Sequence, residues 1–226
     1  MALCIVTGVG PGVGTALVES FCDAGYDVAM LARSEERLEA LKETLQAKHQ
    51  SAHAYACDVS DEAQVNEVAT HILSEHGTPD VVIHNAIAGR MGSFLEVPAE
   101  EFARNYQVNT MGLVYLAKAL MPSMIQAGRG MLMVTGSKYA HEASGRMVTF
   151  AVAKSSQRLF LESVAPELKE SGVDTSYVII DGVVDSESMR GYFPNEADDF
   201  FLQPDAIAQI CLQEVQTPAK QEIWIS

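Results

Sequence analysis

Five apolar residues, Ala2–Val6, run straight into TGVGPGVG, Thr7–Gly14, and a helical pattern begins inside that loop. A strand that ends in glycines and resumes as a helix constrains the fold more than any other feature of this chain. Glycine lets the backbone turn sharply and approach a ligand closely. The helix start behind it offers free N–H groups and the positive end of a dipole. That arrangement suits a pyrophosphate, with a merely tight strand–helix turn as the plain alternative. The spacing is T-G-x-x-x-G-x-G through Gly8, Gly12 and Gly14; the G-x-G-x-x-G spacing is not met.

Short apolar runs and longer helical patterns alternate through the rest of the chain. The first helix is predicted from near Gly12 to Asp23–Gly25, where Gly25 stops it. DVAML (Asp27–Leu31) reads as the second strand. The next helix starts on Ser34 as N-cap, with Glu35 and Glu36 in its positive first turn and Leu38, Leu41 and Leu45 on one face. AHAYA is the third strand, and Ser60 is the predicted cap of a third helix. DVVIH (Asp80–His84) is the fourth strand. Residues 97–128 form one long helix or two joined ones. GMLMVTG is the fifth strand, and the helix carrying Phe150 and Lys154 runs to about Leu168. VDTSYVII and QEIWI complete seven strands. Strand–helix alternation implies parallel strands, right-handed crossovers and helices on both faces of the sheet. The expectation is one α/β domain over residues 1–226. Asp181–Gln203 lacks a regular pattern, and a connection of that length is usually functional, here as a substrate loop or lid.

Hydrophobic residues make up 48% of the 226, enough for one substantial core, and the formal net charge is −15. Acid excess argues against nucleic-acid and anionic-membrane partners. Cys4, Cys22, Cys57 and Cys211 fit no zinc spacing, so no metal site is expected and the thiols read as buried and reduced. The apolar start is too short for a signal peptide or a membrane span, so a cytoplasmic location is expected.

In dinucleotide sites an acid at the end of the second strand holds the ribose 2′-hydroxyl and selects NAD. Here that end reads Leu31, Ala32, Arg33, Ser34. Arg33 could pair with a 2′-phosphate, so NADP is favoured over NAD.

These features resemble the short-chain dehydrogenase/reductase family over essentially the whole chain. TGVGPGVG resembles its glycine motif, which implies cofactor contacts from Thr7, Gly8, Gly10, Pro11, Gly12, Val13 and Gly14. CDVSD resembles the adenine-side segment and implicates Asp58 and Val59. HNAIAG stands where N-N-A-G is usual: Asn85 and Ala86 match, while His84 and Ile87 depart. NTMG implies an active-site asparagine at Asn109, and MVTGSKYA an active-site serine at Ser137. IDGVVDS resembles the nicotinamide-side segment, with Gly182 matching, Asp181 replacing a proline, and Val184 beside the cofactor. The resemblance implies a Rossmann-like fold, NADP-linked oxidation or reduction of a carbonyl or alcohol, and a homodimer or homotetramer packed through the long helices after Pro98 and Met147.

One position departs. Lys154 matches the family's lysine, which holds the nicotinamide ribose and lowers the pKa of a tyrosine one turn earlier. Here that position is Phe150, thirteen residues after Ser137, and no Y-x-x-x-K occurs anywhere. Phenylalanine cannot donate a proton, and losing a positioned acid–base group costs about 10²–10⁴ in rate. Tyr139 and His141 on the loop after the fifth strand, His84, Lys154 itself or a water held by Asn109 are candidate substitutes. The other reading is a cofactor-binding sensor or scaffold without redox chemistry. Met91, Phe94, Tyr192 and Phe193 are expected to flank an apolar substrate, and Arg90, Arg146 and Arg190 could meet an anion.

Overall fold

A computed structural model describes residues 1–142, 145–218 and 221–226. Its strands are β1 (Leu3–Thr7), β2 (Asp27–Ala32), β3 (Ala52–Ala56), β4 (Val81–His84), β5 (Gly130–Ser137), β6 (Val173–Ile180), β7 (Val183–Val184), β8 (Phe201–Leu202) and β9 (Glu222–Ile225). Its helices are α1 (Val13–Asp23), α2 (Glu35–Ala47), α3 (Glu62–His76), α4 (Ala99–Tyr106), α5 (Gly112–Ala127), α6 (Val148–Glu170), α7 (Glu187–Tyr192) and α8 (Pro204–Gln216). Seven strands make one sheet in the order β3-β2-β1-β4-β5-β6-β9. Every neighbouring pair in it is parallel. The order reverses between β1 and β4, so the crevice at their carboxyl ends is where a Rossmann-like sheet binds its ligand.

Each face of the sheet has its own apolar cluster. Leu113, Leu116 and Leu120 of α5 and Val65, Ala69 and Ile72 of α3 pack on Leu3, Ile5 and Leu31. The opposite face sets Leu17 and Phe21 of α1 and Ile207, Ala208 and Cys211 of α8 against Cys4, Val6 and Val28. The apolar stripe of GLVYLAKAL is therefore spent on the sheet. Among the described residues no helix is long and apolar enough to cross a membrane.

Two local expectations change, one open alternative is decided, and one element is added. Asp61, not Ser60, caps α3, accepting from the N–H of Ala63 at 2.9 Å and of Gln64 at 3.2 Å. Ser60 instead donates its hydroxyl to Asp58 at 2.7 Å, which removes it from capping. Residues 97–128 hold α4 and α5 joined by a π-helical turn, Gln107–Met111. The stretch 181–203 is built rather than irregular: β7 pairs with β8, and Arg190 of α7 is held by Asp185 at 2.6 Å and by Asp198 at 2.8 Å. Helix α8 adds an element that the strand count alone omits; Pro204 stands in its first turn, where the missing N–H costs nothing.

Gly136 of β5 fixes how closely β6 lies. A Cβ there would sit 2.1 Å from the ring of Tyr177, whose hydroxyl donates to the carbonyl of Lys154 at 3.3 Å. Gly136→Ala is expected to destabilise the protein by about 1–3 kcal/mol through overpacking. Thermal unfolding should record roughly 2–4 °C lost per kcal/mol; an unchanged melting temperature would refute the close packing.

Candidate active site

The glycine loop is pressed onto the end of β4. A Cβ at Gly8, where φ is +70°, would lie 2.4 Å from Cα of Ala86, and one at Gly14 would lie 2.6 Å from the carbonyl oxygen of Gly8. Only glycine fits either place. Asn85 locks the contact by donating to the Gly8 carbonyl at 3.1 Å. Gly12 caps α1 with no side-chain hydrogen bond, and Gly10 borders open space. The backbone of Asp185, next to Val184, comes near Gly12 and brings the 181–185 segment beside the loop.

A cleft of about 240 Å³ opens from this loop, between the ends of β2 and β4. It gathers Gly8, Gly10, Arg33, Asp58, Val59 and Ala86 from the expected cofactor set, and adds Ser34, Arg37 and Arg104. Three arginines line it against the single carboxylate of Asp58, one of them, Arg104, paired with Glu101 at 3.5 Å. Arg37 was within reach of sequence reasoning, because a Ser34 cap puts it in the first turn of α2 behind Arg33. Arg104 arrives from α4 and has no local signal. A larger cleft, about 560 Å³, lies at the amino end of β6 beside α6 and α8 and contains none of the expected site residues.

Beneath the loop a buried polar network joins β1, β4, β5 and the helices. Thr7 bonds Nδ1 of His84 at 3.2 Å, and Nε2 of His84 meets the Asn109 carbonyl at 3.2 Å. The π-turn opens the helical ladder at Asn109, which lets that carbonyl also accept from Gln157 at 2.7 Å. The Asn109 side chain donates to the carbonyls of Ala88 and Asn105, each at 2.8 Å. Thr135 donates to Asn85 at 2.9 Å, and its carbonyl accepts the Lys154 ammonium at 2.8 Å. Gln157 accepts from the same ammonium at 2.9 Å.

Lys154 is therefore enclosed, with 2% of its surface exposed. Phe150 lies over it, its ring centroid 5.6 Å from Nζ, so the ring face that replaced a phenol makes a cation–π contact. Among the described residues no carboxylate pairs with this ammonium, and burial pushes it down to about 7. Burial, with the Lys154 charge adding to it, pushes His84 down to about 3. His84, fully buried at the end of β4, is a structural link between Thr7 and Asn109. His141 is also engaged elsewhere: Nε2 lies 3.4 Å from Glu222 and its ring packs on Trp224 of β9. Besides Lys154 beneath the ring, Tyr139 is the candidate donor that meets Phe150, edge-on with centroids 6.2 Å apart. Ser137 ends β5 and accepts from the N–H of Tyr139 at 3.4 Å. Asp181, where a proline is usual, pairs with Lys138 at 2.8 Å and ties the exits of β5 and β6 together. Arg90 contacts Glu101 at 3.5 Å, and Met91, Phe94 and Tyr192 are exposed near these loops.

Residues 2–197 match the family model described as short chain dehydrogenase. The chain belongs to the short-chain dehydrogenase family. Among curated short-chain dehydrogenase relatives, a probable oxidoreductase, EphD, of Mycobacterium tuberculosis is 31% identical over 182 residues. That match covers 80% of this chain and 31% of the mycobacterial protein, so the chain spans about a third of its length. An NADPH-dependent pterin aldehyde reductase of Arabidopsis thaliana is 27% identical over 205 residues, covering 90% of this chain and 83% of that protein. Among solved structures, an NADPH-bound short-chain oxidoreductase of Pseudomonas aeruginosa PAO1, described as containing an atypical catalytic center, has a TM-score of 0.91 at 25% identity. The alignment covers 100% of this chain and 95% of that one. A metagenomic short-chain oxidoreductase in complex with NADP has a TM-score of 0.86 at 25% identity, covering 99% and 96%.

The buried ammonium makes stability depend on pH. Lys154 has a folded-state pKa of about 7, well below the roughly 10.4 of a free lysine, so the unfolded chain binds more protons above pH 7. Stability should rise with pH from this residue alone, by about 1–2 kcal/mol between pH 7 and 8.5. Denaturant titrations at the two pH values should show that rise in the wild type and its loss in Lys154→Met. A variant that keeps the full rise would contradict the enclosed ammonium.

Proposed function

We propose that this chain is an NADP(H)-dependent oxidoreductase interconverting a carbonyl and an alcohol, with Tyr139 as proton donor. The observation that carries the reading is the edge-on contact of Tyr139 with Phe150, which sets a phenol beside the ring that replaced one. Ser137, two residues earlier, would polarise the carbonyl oxygen while Tyr139 protonates it.

The chain fits the cofactor. Arg33, Ser34 and Arg37 suit a 2′-phosphate, because guanidinium pairs bind phosphate through parallel hydrogen bonds. The uncapped start of α1 and the open side of Gly10 suit the pyrophosphate, with Asp58 and Val59 toward the adenine. Bound there, the cofactor would supply or accept the hydride. The relatives that bind NADP or NADPH, and the Pseudomonas structure with its atypical centre, accord with this reading.

Lys154 would act by position. It holds β5 and α6 in register under the site and leaves ribose contact to other groups. Val152 and Leu159, exposed on α6, offer the apolar surface for the homo-oligomer that the family implies. The four free, buried cysteines accord with a cytoplasmic setting.

A second reading, NADP(H) binding without turnover, is favoured by the same enclosure of Lys154. Kinetics across a carbonyl panel separates the two. Tyr139→Phe should lower kcat by about 10²–10⁴ with NADPH affinity unchanged, and His141→Ala should leave kcat near wild type. Binding of NADPH with no turnover on any carbonyl would select the second reading. For the cofactor, Arg33→Ala with Arg37→Ala should weaken NADPH about 10–100-fold and leave NADH nearly unaffected. An equal loss for both would remove the 2′-phosphate assignment.

A further inference from the structure

We propose that Asp27, His53 and His76 form a site for a divalent transition-metal ion, Zn²⁺ by its donor set, at the end of the sheet remote from the cofactor cleft. Asp27 opens β2, His53 is the second residue of β3, and His76 closes α3. These places lie at the amino ends of the strands, whereas the cleft lies at their carboxyl ends. One ligand atom from each residue falls within 4.8 Å of the others. Nε2 of His53 lies 2.7 Å from Oδ1 of Asp27, and Nδ1 of His76 lies 3.5 Å from Oδ2. Zinc bonds of about 2.0–2.2 Å set adjacent donors of a tetrahedron roughly 3.4 Å apart, close to the second distance. Two imidazoles, one carboxylate and a water in the fourth place are a common zinc set.

The surroundings are those of a ligand. Tyr55 donates to Glu75 at 3.2 Å and shares a hydrogen bond with Nε2 of His76 at 2.8 Å, which orients the ring with Nδ1 toward the Asp27 carboxylate. In the Nε2–H tautomer the Nδ1 lone pair is free to bind a cation beside that carboxylate. Outer partners of this kind accompany metal-bound histidines generally. Ser51 holds the carboxylate by donating to Oδ1 at 2.6 Å. The rings of His53 and His76 lie 4.1 Å apart, so both imidazoles converge on the Asp27 carboxylate. Side-chain exposures of 33%, 18% and 13% for His53, Asp27 and His76 let an ion enter yet shield it. Cysteine spacing pointed to no metal because these ligands come from separate elements that only the sheet gathers. A bound ion would pin β3, an edge strand, to β2 and α3.

The test uses the untagged full chain, stripped with a chelator and titrated with Zn²⁺ by calorimetry. One ion per chain is expected, with a higher melting temperature. His53→Gln and His76→Gln should each weaken binding by at least about tenfold and together abolish the thermal shift, and Tyr55→Phe should cost about tenfold. Wild-type protein that binds no Zn²⁺, or histidine variants that bind as tightly as wild type, would overturn the proposal. Cys22, whose thiol donates to the Ser51 carbonyl at 3.6 Å, is the nearby competitor. If a histidine variant fails to fold, Co²⁺ bound to the wild type decides: a tetrahedral nitrogen–oxygen spectrum supports the site, and thiolate charge-transfer bands overturn it.

Discussion

The ammonium of Lys154 is the interaction on which the site is organised. A cation this deeply buried without a carboxylate is costly. The protein meets that cost with the Thr135 carbonyl, the Gln157 amide oxygen and the face of Phe150. Each of these is tied onward. Thr135 reaches Asn85 and through it the glycine loop, while Gln157 reaches the Asn109 carbonyl and through it His84 and Thr7. The ends of β1, β4 and β5 and the π-turn are thus held by one set of hydrogen bonds around a single charge.

That arrangement gives Phe150 a physical role. A phenol at this position would direct a hydroxyl toward the substrate and share the lysine's field. A phenyl ring closes over the lysine instead, and on the proposed reading Tyr139 would carry the proton chemistry. Ser137 and Tyr139 are carried by β5 and the short turn after it, so their placement depends on the register that Lys154 and Tyr177 maintain between α6 and the sheet. Side chains set on a strand end and braced by buried hydrogen bonds are more precisely held than side chains on a free loop.

Much of this was legible in the sequence where the signal is local. The glycine loop, the Ser34 cap and the alternation of strands and helices follow from short-range patterns, and Arg33 at the end of β2 does fall in the cleft. Other features depend on distant partners. The π-turn at Asn109 has no propensity signature, so the release of its carbonyl could not be read. The direction of Lys154 depends on Gln157 and on Thr135 of another strand. Ser60 lost its capping role to Asp61, one residue later, while its hydroxyl turned back to Asp58, and His84 reads as a site residue until burial between Thr7 and Asn109 is visible. Helix α8 did carry signals, Pro204 at its start and Ile207, Ala208, Cys211 and Leu212 on one face, within a segment that strand counting passes over.

The most direct test of this account is a crystal structure of the chain with NADPH bound. Nζ of Lys154 should remain on the Thr135 carbonyl and Gln157, with Phe150 over it and the Tyr139 hydroxyl facing the nicotinamide. A lysine swung out from under Phe150 to hydrogen-bond the nicotinamide ribose, with Tyr139 turned away, would contradict it.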